Sequence, residues 1–300
     1  MAYCCMLLST WLRTYKRVYI SPYNYNGIHS MVRQYKYTYT IKYINMETQH
    51  NTLFVAFASQ KGGVGKSTFT SLVASAMHYR LGYNVAVFDC DFPQYSLVQM
   101  RARDMKTVMK NDAFKKMAHR QFTSLNKKAY PVLQQKAETV LEAARDFIAT
   151  SEVPIDLLFF DLPGTVNSAG IIKALAGMHY VFTPIIADRV VMESTLVFTQ
   201  LITDVLMKQQ RVTIKEVYLF WNQVDGRERN PLYESYGELI RSLGLELMES
   251  AIASSVRFRK ESEPDAKAVF RSTLLPPDER LMQGCNLDAF INEFLQMLKL

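Results

Sequence analysis

From Thr52 onward the chain alternates short apolar runs with longer stretches whose apolar residues recur at helical spacing. Thr52–Ser59, Asn84–Asp89, Asp156–Asp161, His179–Pro184 and Lys215–Trp221 are strand-length runs. They lack a clean in–out alternation, as expected of parallel strands covered on both faces. Between them, 67–80, much of 97–149, 166–177, 189–209 and 231–243 read as helices. Asn286–Leu300 closes the chain with Phe290, Ile291, Phe294, Leu295 and Leu298 on one helical face, which predicts a helix packed on the domain. Strand–helix alternation of this kind predicts an α/β fold, a doubly wound and mostly parallel β-sheet flanked by helices, in one domain spanning 46–300.

The first 45 residues break the pattern. They hold nine tyrosines, six basic side chains (Arg13, Lys16, Arg17, Arg33, Lys36 and Lys42) and no acidic one. Met46 then opens a short polar lead into the first apolar run. Residues 1–45 therefore read as a basic, Tyr-rich N-terminal extension outside the fold. A targeting segment fits less well, because Met1–Leu12 has no charged leading region and no clear small-residue cleavage site. A basic aromatic arm touching lipid or nucleic acid is the functional alternative.

Charge refines this picture through its distribution. The chain carries a formal +7 over 300 residues, yet the part after residue 45 sums to only +1. Residues 100–130 alone contribute +7, from Arg101, Arg103, Lys106, Lys110, Lys115, Lys116, Arg120, Lys127 and Lys128 against Asp104 and Asp112. Such a stretch is either a solvated helix face or a phosphate-contacting one, and only the latter would make binding strongly salt-dependent. A smaller cluster, Arg257, Arg259 and Lys260, has the same two readings. No run of eighteen apolar residues appears, so a spanning helix is not expected. Cys4, Cys5, Cys90 and Cys285 form no C-x-x-C pair, which argues against a zinc ribbon, a redox pair or a bridged cluster and fits a reducing cytoplasm.

The strongest chemical signal is Lys61-Gly62-Gly63-Val64-Gly65-Lys66-Ser67-Thr68, placed between the first strand and the first helix. Glycines let backbone N–H groups point at phosphate oxygens without Cβ interference. The helix N-terminus behind them favours anions. Lys66 supplies charge to the β- and γ-phosphates, Ser67 a ligand for Mg²⁺, and Thr68 a further phosphate contact. The ordinary pattern would have Gly at position 60, where this chain has Gln60, with Lys61 immediately beside it.

KGGVGKST resembles the deviant Walker A motif of the ParA/MinD family of P-loop ATPases. Val87-Phe88-Asp89-Cys90-Asp91-Phe92-Pro93-Gln94 is similar to that family's second acidic element. Leu157–Asp161, the third apolar run, followed by Leu162-Pro163-Gly164, looks like its Walker B strand and switch loop. The resemblance covers about 52–272. It implies that Lys61 reaches the partner's nucleotide in an ATP-sandwich homodimer, that Asp91 orients the attacking water, and that Asp89 joins Asp161 around Mg²⁺. By the same match, Asn222 in Asn222-Gln223-Val224-Asp225-Gly226 is a base-contact candidate. Its N-x-x-D spacing is also that of GTP-binding proteins, with Gln223 where those carry Lys, and a plain polar turn after a strand is the bland reading.

The resemblance implies a Mg-ATP-dependent switch in the cytoplasm, nucleoid-associated if it binds DNA. Nonspecific DNA would be its surface, and a ParB-like or other protein its activator. It is most similar to small ParA-type partitioning ATPases, and also resembles ParA homologues carried on conjugative elements. A MinD-like membrane-associated role is the alternative, although Asp288, Glu293 and the single Lys299 make the closing helix a poor basic anchor. A P-loop protein tyrosine kinase, suggested by the tyrosines of 1–45, and a metallocluster carrier, which needs paired cysteines, are further readings.

Overall fold

The computed structural model describes residues 51–164, 168–210, 212–226, 232–255 and 269–300. The N-terminal extension expected at 1–45 and the cluster Arg257, Arg259 and Lys260 lie outside the described residues.

The strands are β1 (Leu53–Phe57), β2 (Val85–Asp89), β3 (Val132–Gln134), β4 (Leu157–Asp161), β5 (Tyr180–Ile185), β6 (Glu216–Trp221) and β7 (Glu246–Leu247). They form one sheet in the order β3-β2-β4-β1-β5-β6-β7, with every pair parallel. The five expected apolar runs are β1, β2, β4, β5 and β6, and all residues of β2, β4 and β5 are buried. Such strands read as continuous apolar runs because helices cover both faces. The edge strands β3 and β7 were not expected. At three and two residues they are too short to carry a periodicity.

The helices are α1 (Lys66–Tyr79), α2 (Ser96–Lys110), α3 (Asp112–Leu125), α4 (Val140–Thr150), α5 (Ala169–Ala176), α6 (Arg189–Gln200), α7 (Leu232–Ser242), α8 (Glu279–Gln283) and α9 (Leu287–Leu298). The expected helical stretch 97–149 is thus three helices and a strand. Asn111 separates α2 from α3: its backbone is extended, and its side chain accepts from the N–H groups of Ala113 and Phe114 as an N-cap does. Asn126, in the left-handed region, ends α3. The Pro131 carbonyl then accepts from Val87 N–H at 3.0 Å, starting the β3 pairing. The expected helix 189–209 is α6 followed by a π-helical turn at Leu201–Leu206.

Alternate residues of the central strands feed two cores. Leu53, Val55 and Phe57 of β1 pack with Phe69 and Leu72 of α1 and with Phe290 and Phe294 of α9. Ala56 of β1 joins Phe88, Phe160, Ala144 and Ala174 on the other face. The closing helix carries the apolar face expected of it, with Phe290, Ile291, Phe294 and Leu298 buried. Phe294 lies 4.7 Å from the Phe182 ring centroid. The Glu293 carboxylate accepts from Glu249 N–H at 2.7 Å and Ser250 N–H at 2.8 Å, pinning α9 to the chain after β7. Among the described residues, no helix is long and apolar enough to cross a membrane.

Candidate functional site

Parallel strands deliver their carboxyl ends to one edge of the sheet, where ligands of α/β proteins bind. The register places Phe57, Asp161 and Asp89 side by side there, as the last residues of β1, β4 and β2. The 58–65 loop leaves β1 at this edge and enters α1. Gly63 and Gly65 have φ of +77° and +104°, which residues with a Cβ rarely adopt. A Cβ on Gly65 would also stand 3.0 Å from Asn222 Nδ2 and 3.3 Å from the Phe69 ring. Among the described residues nothing lies within 4 Å of such an atom on Gly62 or Gly63, so there the loop's outer face is open.

Ser59 holds the start of the loop. Its hydroxyl donates to Lys61 O at 3.2 Å and accepts from Lys61 N–H at 3.1 Å. Lys66 opens α1 and is buried, with Nζ donating to Lys61 O at 3.1 Å. Burial lowers its ammonium pKa, while Asp161 and then Asp91 oppose that shift. Gly164 belongs to this arrangement, because a Cβ there would sit 2.9 Å from Lys66 Nζ. The Lys61 side chain is half-buried and makes no hydrogen bond among the described residues.

The three aspartates differ. Asp161 is fully buried, and neither carboxylate oxygen has a hydrogen-bond partner. Burial pushes its pKa up to about 7; the Ser67 hydroxyl and Lys66 oppose the rise, and Asp89 and Asp91 add to it. Ser67 therefore lies beside Asp161. Asp89, equally buried, is engaged: Oδ2 accepts from Leu97 N–H at 2.9 Å and Val98 N–H at 3.0 Å, and Oδ1 from Asp91 N–H at 3.3 Å. It holds the first turn of α2, where free N–H groups and the helix dipole favour an anion. Asp91 is half-buried; burial raises its pKa and Lys66 lowers it.

An orphaned buried carboxylate costs about 1–3 kcal/mol or more, so its persistence beside Ser67 and Lys66 fits a cation site. Among the described residues no three His, Cys, Asp or Glu side chains can hold a metal by themselves. Mg²⁺ keeps several waters and takes only one or two carboxylates alongside substrate phosphates.

Asn222, the base-contact candidate, is tied to the loop and lines the cavity beside it. It is buried, its Nδ2 donates to Val64 O at 2.9 Å, and its Oδ1 accepts from Gln223 N–H at 2.8 Å. It clamps the loop from the end of β6. Gln223 reaches Gly63 O at 3.4 Å. With Gly63, Gly65, Thr68, Ser254 and Ser255, these two line a cavity of about 180 Å³. Ser59, Ser254 and Ser255 carry no motif in the sequence. Nor does Arg271, whose Nη1 donates to Thr68 Oγ1 at 3.1 Å across 203 positions of chain.

The basic stretch 100–130 divides. Arg101 is structural: Nε donates to Thr273 Oγ1 at 2.9 Å, Nη2 to Tyr130 O at 2.8 Å, and its guanidinium lies over the Tyr130 ring. Lys127 donates to Gly82 O. Arg103, Lys106, Lys110, Lys115, Lys116, Arg120 and Lys128 remain exposed on and after the α2–α3 pair. Cys90 and Cys285 are buried free thiols, and burial raises the Cys90 pKa, so neither resembles a cluster ligand.

The family profile described as "CobQ/CobB/MinD/ParA nucleotide binding domain" matches residues 55–266. No curated protein matches the chain significantly. Three solved structures illustrate its likeness. A plasmid partition protein from Borrelia burgdorferi is 15% identical, with 68% of this chain and 90% of that one covered at a TM-score of 0.46. The MinC:MinD cell division complex of Aquifex aeolicus is 13% identical, with 71% and 86% covered at 0.46. Cobyrinic acid a,c-diamide synthase from Mycobacterium smegmatis, with bound ATP analogue and magnesium, is 18% identical, with 68% and 85% covered at 0.48.

Proposed function

The chain belongs to the CobQ/CobB/MinD/ParA nucleotide-binding family, and from that premise we propose that it is a ParA-like ATPase that dimerises on Mg-ATP. Slow, partner-stimulated hydrolysis then positions or segregates DNA: plasmid, chromosome or conjugative element. The observation that carries the nucleotide part is the open glycine loop backed by Lys66, with the unsatisfied Asp161 carboxylate beside Ser67.

Gly62, Gly63, Val64, Gly65, Lys66, Ser67 and Thr68 would hold the phosphates, and Ser67 and Asp161 would hold Mg²⁺. Asp89 stands behind them as the brace of α2. Bound Mg²⁺ neutralises charge on the phosphoryl oxygens. Lys66 can leave the Lys61 carbonyl for a phosphate, exchanging a neutral acceptor for an anionic one, which makes the stronger hydrogen bond. Asp91, near the Lys66 charge, is the group that would orient the attacking water. Lys61 would act across the dimer.

Nonspecific DNA as the surface is supported by the exposed cations of the α2–α3 pair, which point to a salt-sensitive polyanion contact. A membrane-bound, MinD-like role is less well supported, since the apolar face of α9 is spent on the core. Two measurements test the proposal. Light scattering should show ATP-dependent dimerisation that Lys61→Ala loses; equal dimerisation of both proteins removes the sandwich. DNA co-sedimentation with ATP, ADP and no nucleotide, at two salt concentrations, should show ATP-dependent and salt-sensitive pelleting. Equal pelleting in all three nucleotide conditions removes DNA as the switched surface.

A further inference from the structure

Two arginine–threonine pairs lie within three residues of each other in the segment before α8, and they end differently. In the first, Arg101 Nε donates to Thr273 Oγ1 at 2.9 Å, and that hydroxyl donates onward to Asp104 Oδ2 at 2.7 Å. A guanidinium only donates, so the threonine oxygen accepts from it and its own proton goes to the carboxylate. The relay runs cation, hydroxyl, anion, and it is complete.

In the second, Arg271 Nη1 donates to Thr68 Oγ1 at 3.1 Å. The same rule makes Thr68 the acceptor and leaves its O–H to donate elsewhere. Among the described residues no acceptor for that proton is found, and Thr68 lines the cavity over Gly63 and Gly65. Among the described residues this relay has no third member, and the cavity is where an anion would complete it.

Arg271 is well held for such a task. Its neighbours Phe270, Ser272 and Thr273 are buried. Ser272 O accepts from Ser75 Oγ at 2.5 Å, and Thr273 O accepts from Tyr79 Oη at 2.9 Å, both from α1. Thr273 N–H donates to Asp104 Oδ2 at 2.6 Å. The segment is thus tied to the helix that carries Thr68 and to α2.

We infer that Arg271 is a positioning residue for a bound nucleoside phosphate: it fixes the Thr68 hydroxyl as an acceptor toward itself and therefore as a donor toward a phosphate oxygen. The inference rests on the nucleotide-binding reading of the 61–68 loop. Arg271 acts through Thr68, and it enters from a segment that no phosphate-loop motif includes.

Isothermal titration of the full chain with ADP and with a non-hydrolysable ATP analogue, in Mg²⁺, tests it. Arg271→Ala and Thr68→Val should each weaken binding by ~10-fold, the scale of one well-placed hydrogen bond. The double variant should be no weaker than Thr68→Val alone, because the two residues form one unit. Arg271→Lys, which keeps a charged donor, should recover part of the loss, a rescue that a packing role would not produce. Should Arg271→Ala not fold, Arg271→Gln replaces it in the same cycle. Wild-type affinity in the Arg271 variant overturns the inference, and so do additive losses in the double variant. If the wild type binds neither nucleotide, the nucleotide-binding reading falls with it. If the wild type binds, Lys66→Ala does not and the Arg271 variant is unaffected, only the role of Arg271 falls.

Discussion

Asp89 and Asp161 end adjacent parallel strands, pair in register and are both fully buried, yet they do different work. Asp89 accepts three backbone N–H groups and holds the first turn of α2. Asp161 accepts none. A buried carboxylate is tolerated when hydrogen bonds replace its water. Asp89 meets that condition within the folded chain, so it serves the fold first. Asp161 does not, so the folded chain is left holding negative charge that the nearby Lys66 cation offsets only in part. The difference teaches that position at a strand end makes an aspartate a candidate ligand, and that the loop after the strand decides whether it is free to be one. After β2 the connection 90–95 brings the first turn of α2 back over the strand end, so that Leu97 and Val98 N–H point at the carboxylate. After β4 it passes through Leu162, Pro163 and Gly164 instead.

The sharpest test of that contrast removes the counter-charge. Lys66→Ala should weaken Mg-ATP binding by ~100-fold or more, as expected from losing charge-assisted contacts worth about 1.5–3 kcal/mol each. Calorimetric titration would detect it, and an unchanged affinity would remove the loop as the phosphate site.

Isosteric amides should then split the two aspartates by sign. Asp89→Asn should destabilise the nucleotide-free protein by about 1–3 kcal/mol, because its NH₂ must face a backbone N–H and the helix loses its anion. Asp161→Asn should stabilise it, by relieving an unpaired buried charge and its repulsion from Asp89 and Asp91. Urea unfolding without Mg²⁺ measures both, and a shared sign would erase the contrast.

The same contrast predicts a pH dependence. Asp161 has its pKa raised from an ordinary 3.8 to about 7, so between those values the folded state holds more protons than the unfolded state. Its contribution to stability is therefore fully present below about pH 4 and is lost as pH rises to about 7. Melting curves of the nucleotide-free wild type should show that decline when set against Asp161→Asn, which lacks it. Parallel pH profiles would show that Asp161 does not titrate there.

The smallest expected change is in affinity at Asp91. Asp91→Ala should leave ATP binding within ~3-fold of wild type, since a half-buried carboxylate near the phosphates offers them no donor. Phosphate release should nevertheless fall sharply. Retained hydrolysis would move the water-orienting role elsewhere.

Much of this was readable from the chain. The five central strands show themselves because residues buried on both faces cannot alternate, and the closing helix because Phe290, Ile291, Phe294 and Leu298 recur at helical spacing. The phosphate loop is local, with Gly63 and Gly65 required by backbone angles that few other residues adopt. The breaks within 97–149 were hidden because α2, α3 and α4 all have helical spacing, and the strand between them is only three residues long.

Local pattern therefore settles the sheet, the loop and the set of candidate acids, because each depends on residues within a few positions of one another. The distribution of roles among them needs contacts that sequence spacing does not encode. Asn222 reaches the loop across 158 positions and Arg271 across 203. Arg101, one of nine similar charges in its stretch, is withdrawn from the surface by Thr273 and Tyr130. Asp89 and Asp161 look alike in the chain, and only the packed fold satisfies one carboxylate and leaves the other without a hydrogen bond.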